Sequence, residues 1–208
     1  KTAYEIYQCD WSSDVCSSDL NYMKNTLIAL AAASLISTAA HAGTVTGEVR
    51  LGGVANGQAS STEYKVEYSD TFAGLVTYGA ELQTKQADNA GTLGSKVSVK
   101  LGPILPTVAG FKPAAYGEFG QNLKQGNNFE FWGAGVKAKR DLYGPVSVNA
   151  GYRHREGFGR NSRTFVENRL NAGLGYTLSD SLALGATYYR TEGTTRDDAI
   201  GISVAKSF

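Results

Sequence analysis

Few side chains capable of covalent chemistry sit near one another in this 208-residue chain. His154 stands between Arg153 and Arg155, with Glu156 beside it and Ser162 and Glu167 further on. A histidine with a hydroxyl and a carboxylate is the raw material of a hydrolase. Period-two alternation, however, turns His154 outward with Tyr152 and away from Glu167. Asp197 and Asp198 are adjacent, so the same alternation splits their faces, whereas a paired-aspartate site needs both on one. Cys9 and Cys16 have a spacing that fits neither a metal site nor a redox motif. Gly133-Ala-Gly135 and Gly173-Leu-Gly175 lie in strand-like sequence with no helix after them, so they are not phosphate loops. No catalytic residue, metal ligand or cofactor is expected.

The charges that do recur are spaced by two. Glu48/Arg50, Lys65/Glu67, Glu81/Gln83/Lys85, Lys96/Lys100, Lys137/Lys139, Arg153/Arg155 and Glu167/Arg169 each share a face if their segments are extended. Glu118, Asn149 and Asn171 fall on the corresponding face of theirs. The intervening positions are apolar: Leu182-Ala-Leu-Gly-Ala-Thr-Tyr188, Val146-Ser-Val-Asn-Ala-Gly-Tyr152 and Leu170-Asn-Ala-Gly-Leu-Gly-Tyr176 are the clearest cases. Such alternation between turn residues argues strands rather than helices. Ten are predicted, at roughly 44–52, 62–70, 74–86, 91–102, 112–122, 129–141, 145–155, 165–178, 181–191 and 198–208. An eight-stranded version would lose the first strand or the weak one near Lys112–Asn122.

The chain ahead of these strands reads as leader sequence. Residues 1–22, KTAYEIYQCDWSSDVCSSDLNY, have no hydrophobic period and resemble the in-frame translation of a sequencing adapter. Met23 then opens a signal-peptide pattern. Lys24 supplies positive charge, Leu27–Ile36 an apolar run of ten residues, and Ala40-His41-Ala42 the small-x-small cleavage site. The run is too short to span a bilayer as a helix. Residues 43–208 are then one domain, with 18 lysines and arginines against 15 carboxylates. That weakly basic balance gives no reason to expect a nucleic-acid partner.

Alternation alone does not separate a soluble sandwich from a membrane barrel, because the barrel simply inverts the faces. Export, tyrosines recurring at strand ends (Tyr64, Tyr68, Tyr78, Tyr152, Tyr176, Tyr188) and a final strand ending in phenylalanine favour the barrel. That last strand, with Ile200, Ile202, Val204 and Phe208 on one face, resembles the sorting signal of Gram-negative outer-membrane β-barrel proteins, a porin-like superfamily. The resemblance implies an all-β, antiparallel up-and-down transmembrane β-barrel in the bacterial outer membrane. It also implies the barrel-assembly machinery, outer-membrane lipid and lipopolysaccharide as partners. Turns at Ser69–Ala73, Asp141–Pro145 and Leu178–Ser181, and the longer Gly102–Phe111, would lie on the periplasmic side. Gly53–Ser61, Gln86–Ala90, Leu123–Asn128, Glu156–Thr164 and Glu192–Asp197 would lie outside.

Charges this deep in a spanning strand must face the lumen, since at mid-depth on the lipid face each would cost about 2–4 kcal/mol. The expected lining is Glu48, Arg50, Lys65, Glu67, Glu81, Lys85, Lys96, Lys100, Glu118, Lys137, Lys139, Arg153, Arg155, Glu167 and Arg169. Its excess of cations suits a narrow channel favouring small anionic solutes. The alternative is a closed structural or surface-interaction barrel, its charges paired across a lumen little wider than side chains can fill. A lipid A-modifying or other interfacial hydrolase is the third reading. Deacylases of that kind carry a serine two residues after the histidine, where this chain has Glu156.

Overall fold

In a computed structural model of the chain, the residues described are 43–53, 61–87, 93–124, 128–158, 165–194 and 196–208. The signal-peptide segment with Ala40 and Ala42, and residues 1–22, lie outside them. The alternating segments form β1 (Thr44–Gly52), β2 (Ser61–Phe72), β3 (Val76–Ala87), β4 (Leu93–Pro103) and β5 (Phe111–Lys124). They continue as β6 (Phe129–Asp141), β7 (Val146–Phe158), β8 (Val166–Ser179), β9 (Leu182–Gly193) and β10 (Asp197–Ser207). Each strand pairs antiparallel with its sequence neighbours, and β1 pairs with β10 to close a ten-stranded up-and-down barrel. Closure leaves no edge strand. The eight-stranded alternative falls away, because β1 is fully paired on both sides and β5 is 14 residues long.

The strands are two or three residues longer at some ends than alternation suggested, and β10 starts at Asp197 rather than 198. The reason is pairing. A strand extends as far as its neighbour offers ladder partners, whatever its own hydropathy does. Register confirms the faces. Glu48 lies opposite Lys65 on β2 and Ser203 on β10, and Arg153 lies opposite Arg169 on β8.

One end of the barrel, here the near end, carries Gly43 and Phe208, joined by a hydrogen bond from Phe208 N to Gly43 O (3.0 Å). Its hairpins are tight. Ala73 and Gly74 both have positive φ (52° and 67°), and Leu75 N donates to Phe72 O. This is the turn geometry whose twist matches paired strands. Ala109 and Gly110 (51° and 79°) repeat it between Val108 and Phe111, which exchange both backbone hydrogen bonds. The long near-end connection is thus a small hairpin of its own, also tied by an Ile104–Ala114 bridge. At the opposite, far end much of four of the five expected outer loops lies outside the described residues, whereas of Glu192–Asp197 only residue 195 does.

The burial pattern is that of an inverted protein. Among the described residues the buried positions are mostly charged or polar, with Phe129, Phe131 and Tyr189 the large apolar exceptions. The outer face carries Val49, Leu51, Val97, Val99, Leu101, Phe119, Val136, Leu170, Leu174, Leu184, Ile200, Ile202 and Val204, all exposed.

Candidate functional site: the barrel lumen

Inward-facing residues at i and i+2 stack along each strand, and antiparallel pairing sets the stacks of neighbouring strands side by side. The result is a layer of ion pairs across the lumen. Arg155, on β7, is its centre and is fully buried (0 % exposed). Its Nε donates to Glu118 Oε2 (3.0 Å), Nη1 to Gln83 Oε1 (3.0 Å) and Nη2 to Glu81 Oε1 (2.8 Å). A second contact from Nη2 reaches Glu118 Oε1. The guanidinium also lies over the Phe131 ring at 4.8 Å. Arg153, one inward step towards the near end, bridges Glu81 (3.1 Å) and Glu167 (3.0 Å). Lys96 binds Glu167 at 2.8 Å, and Lys100 binds Glu81 at 2.6 Å and Glu67 at 3.1 Å.

The network continues round the wall. Lys65 joins Glu67 (3.2 Å) to Glu48 (2.9 Å), Glu48 takes Arg50 (2.8 Å), and Arg50 also pairs with Glu63. Arg169 meets Glu63 at 3.4 Å and donates through Nε to Thr191. Tyr189 donates its hydroxyl to Glu48, with Arg50 stacked 4.0 Å over its ring. Such an arrangement requires complementary signs at every step, because one unpartnered charge in a dry interior is strongly destabilising.

Most of the residues expected to line the lumen meet in this layer. Glu48, Arg50, Lys65, Glu67, Glu81, Lys96, Lys100, Glu118, Arg153, Arg155, Glu167 and Arg169 all join the layer. Lys85 sits beyond it towards the far end, paired with Asp197 at 2.7 Å. Lys137 and Lys139 lie towards the near end and are exposed. Three kinds of residue were missed. Glu63 shares a face with Lys65 and Glu67, so parity carried its signal. Asp197 was read as solvated loop charge; instead it turns inward, accepting from Gly53 N (2.9 Å) as well as Lys85. The inward aromatics Tyr116, Phe131 and Tyr189 occupy the polar face, where hydropathy alternation gives no hint of them.

Cavities lie on both sides of the layer. On its near side is a cavity of about 460 Å³ reaching to Lys112, Lys139, Thr177 and Ala205; on its far side is one of about 80 Å³ bounded by Glu63, Gln83, Lys85, Lys96 and Asp197. Arg50, Lys65, Glu81, Lys100 and Arg153 line the near cavity alone, Glu167 the far one alone, and Arg169 touches both.

His154 points outward, as alternation required. Its Nδ1 is 2.9 Å from Asn168 Oδ1, which also accepts from the Tyr152 hydroxyl (2.7 Å), and its ring lies 5.4 Å from that of Trp132. Asp198 also faces out, accepting from Tyr188 at 3.0 Å. Among the described residues no group of three or more histidine, cysteine or acidic side chains is arranged to hold a metal ion.

This architecture, a closed meander with a charged interior and an apolar exterior, is the one found in outer-membrane β-barrels. No protein-family model and no curated protein sequence matches the chain. Among solved structures it resembles the β-domain of the Bordetella autotransporter BrkA, at TM-score 0.52 and 12 % identity over 80 % of this chain and 99 % of that one. It is also similar to the KdgM porin, solved in complex with disordered oligogalacturonate, at TM-score 0.45 and 13 % identity over 79 % and 99 % of the two chains. A third, the translocator domain of autotransporter NalP from Neisseria meningitidis, gives 0.43 and 11 % over 94 % and 98 %. At these identities the resemblance is one of fold.

Proposed function

We propose that this chain is an outer-membrane β-barrel whose lumen is closed to ions at mid-depth by the Arg155-centred layer. In this reading residues 23–42 direct export and are removed after Ala42. The β10 strand with Ile200, Ile202, Val204 and Phe208 is handed to the barrel-assembly machinery. The near end then faces the periplasm, and the apolar belt meets lipid and, in the outer leaflet, lipopolysaccharide. The exposed valine, leucine and isoleucine side chains support the membrane setting, because a barrel of this composition in water would leave its largest apolar surface unburied. The observation that carries closure is Arg155: fully buried, ion-paired to Glu81 and Glu118, and lining neither of the two lumen cavities.

A narrow anion-favouring channel is the second reading. It has its own support in the cations that line the near cavity, which would favour anions in any open conformation. Single-channel conductance of the folded chain in planar bilayers under a salt gradient separates the two. The wild-type chain is expected to stay silent. An Arg155→Ala, Glu118→Ala double variant, which removes both charge and volume from the layer, is expected to conduct with an anion-favouring reversal potential. Steady wild-type openings would overturn the closed barrel and establish the channel.

A further inference from the structure

The near cavity has two unlike walls. On β7 to β10 the inward positions are small and neutral: Ser147, Asn149, Gly175, Thr187 and Ser203. Their size creates the 460 Å³ space, which is within the range of small-molecule sites. Facing them, β5 and β6 contribute Lys112, Lys137 and Lys139. These differ from the lysines of the layer. Lys65 and Lys100 each have two carboxylates, whereas Lys112 (2.7 Å) and Lys139 (3.7 Å) share the single Asp141. Lys137 is exposed and has no carboxylate within ion-pair distance among the described residues. At the floor, Arg50 and Arg153 are more than nine-tenths buried, and each leaves its Nε without a hydrogen-bond partner among the described residues.

Glu67 and Glu81 also line this cavity but are taken up by Lys65, Lys100, Arg153 and Arg155, so positive charge is left over on Lys112, Lys137 and Lys139. A recess with walls of low dielectric focuses such a field and concentrates counter-ions. A structural filling would have paired these lysines, as the layer above does. We propose that the vestibule is a binding site for small polyanions bearing two or more carboxylate or phosphate groups, entered from the near end. Lys137 is the principal contact, Lys112 and Lys139 guard the mouth, and the hydroxyls and amides of β7 to β10 accept and donate to the ligand's neutral polar groups. The inference deepens the closed-barrel reading by giving that barrel a ligand on its periplasmic side, and it uses the same orientation.

The test is calorimetric titration of the full chain, folded in detergent micelles, with citrate, with pyrophosphate and with sucrose. Heat-modifiable mobility on gels verifies the barrel in each sample. Citrate, pyrophosphate or both are expected to bind at one site per chain, more weakly as salt is raised, while sucrose does not bind. Citrate alone assigns the carboxylate class and pyrophosphate alone the phosphate class. The Lys112→Gln, Lys137→Gln, Lys139→Gln triple variant is expected to lose at least tenfold in affinity. Lys137→Gln alone, which disturbs no ion pair, is expected to lose severalfold. Arg190→Gln, on the outer face, controls for net charge and is expected to match the wild type. Absence of polyanion binding to a heat-modifiable barrel, or a triple variant as tight as the wild type, overturns the proposal. Conductance of the same preparation keeps the two readings apart, since a barrel that conducts and still binds citrate sinks only the closed lumen.

Discussion

Glu81 takes ion pairs from Lys100, Arg153 and Arg155 at once, and is itself 3 % exposed. A carboxylate so placed holds three cations together on behalf of three strands. Replacing it by glutamine keeps the shape and removes the charge that neutralises them. Glu81→Gln is expected to destabilise the barrel by about 3–5 kcal/mol, the cost of leaving buried cations without their partner. Reversible urea unfolding in lipid vesicles measures it; a loss below about 1 kcal/mol would mean that water enters the layer and screens it. Glu63→Gln, between Arg50 and Arg169, is expected to shift the same transition in the same direction. At this scale the sequence was informative about which charges turn inward, because parity is strict along a strand. It was silent on pairing, which depends on register between strands far apart in the chain: Arg155 meets Glu81 across 74 residues. In the structure most of the cation excess, Lys112, Lys137 and Lys139, lines the near cavity, while the layer itself is close to balanced.

Each of the near-end turns at Ala73–Gly74 and Ala109–Gly110 places an alanine at positive φ. Only the glycine in each pair accepts that conformation freely, whereas asparagine tolerates it far better than alanine does. Ala73→Asn and Ala109→Asn together are expected to raise unfolding stability by roughly 0.5–2 kcal/mol, read from the urea midpoint. An unchanged midpoint would show that the strands dictate the turns, whatever residue fills them. Strand existence was legible here because the alternation is unusually clean in β7, β8 and β9. Strand ends were not, since hydropathy gives way to turn composition a residue or two before the ladder stops. The Pro103–Phe111 connection shows the limit. It is longer than the other turns at this end and holds Pro103 and Pro106, yet it folds back through a two-residue turn at Ala109–Gly110 that neither its length nor its prolines foretell.

For the molecule as a whole, the proposed membrane setting has lipid and lumen exchange the roles that core and solvent play in a soluble sheet. β8 offers a direct comparison at similar depth. Leu174 points outward and is 58 % exposed, while Asn171, three residues earlier, lines the near cavity. If the apolar belt is buried in a bilayer, arginine at the outward position has to give up its hydration or deform the membrane. Leu174→Arg is then expected to cost about 2–4 kcal/mol. Asn171→Arg enters a roomy, wet recess and is expected to cost far less, within about 1 kcal/mol, offset only by repulsion from Arg153 and Arg169. A barrel whose outer face met water would lose the difference: arginine at position 174 would stay solvated, and neither substitution would cost more than about 1 kcal/mol. Unfolding both variants in vesicles, beside wild type, therefore measures which face the molecule shows to lipid. It does so without reference to conductance, ligand or export.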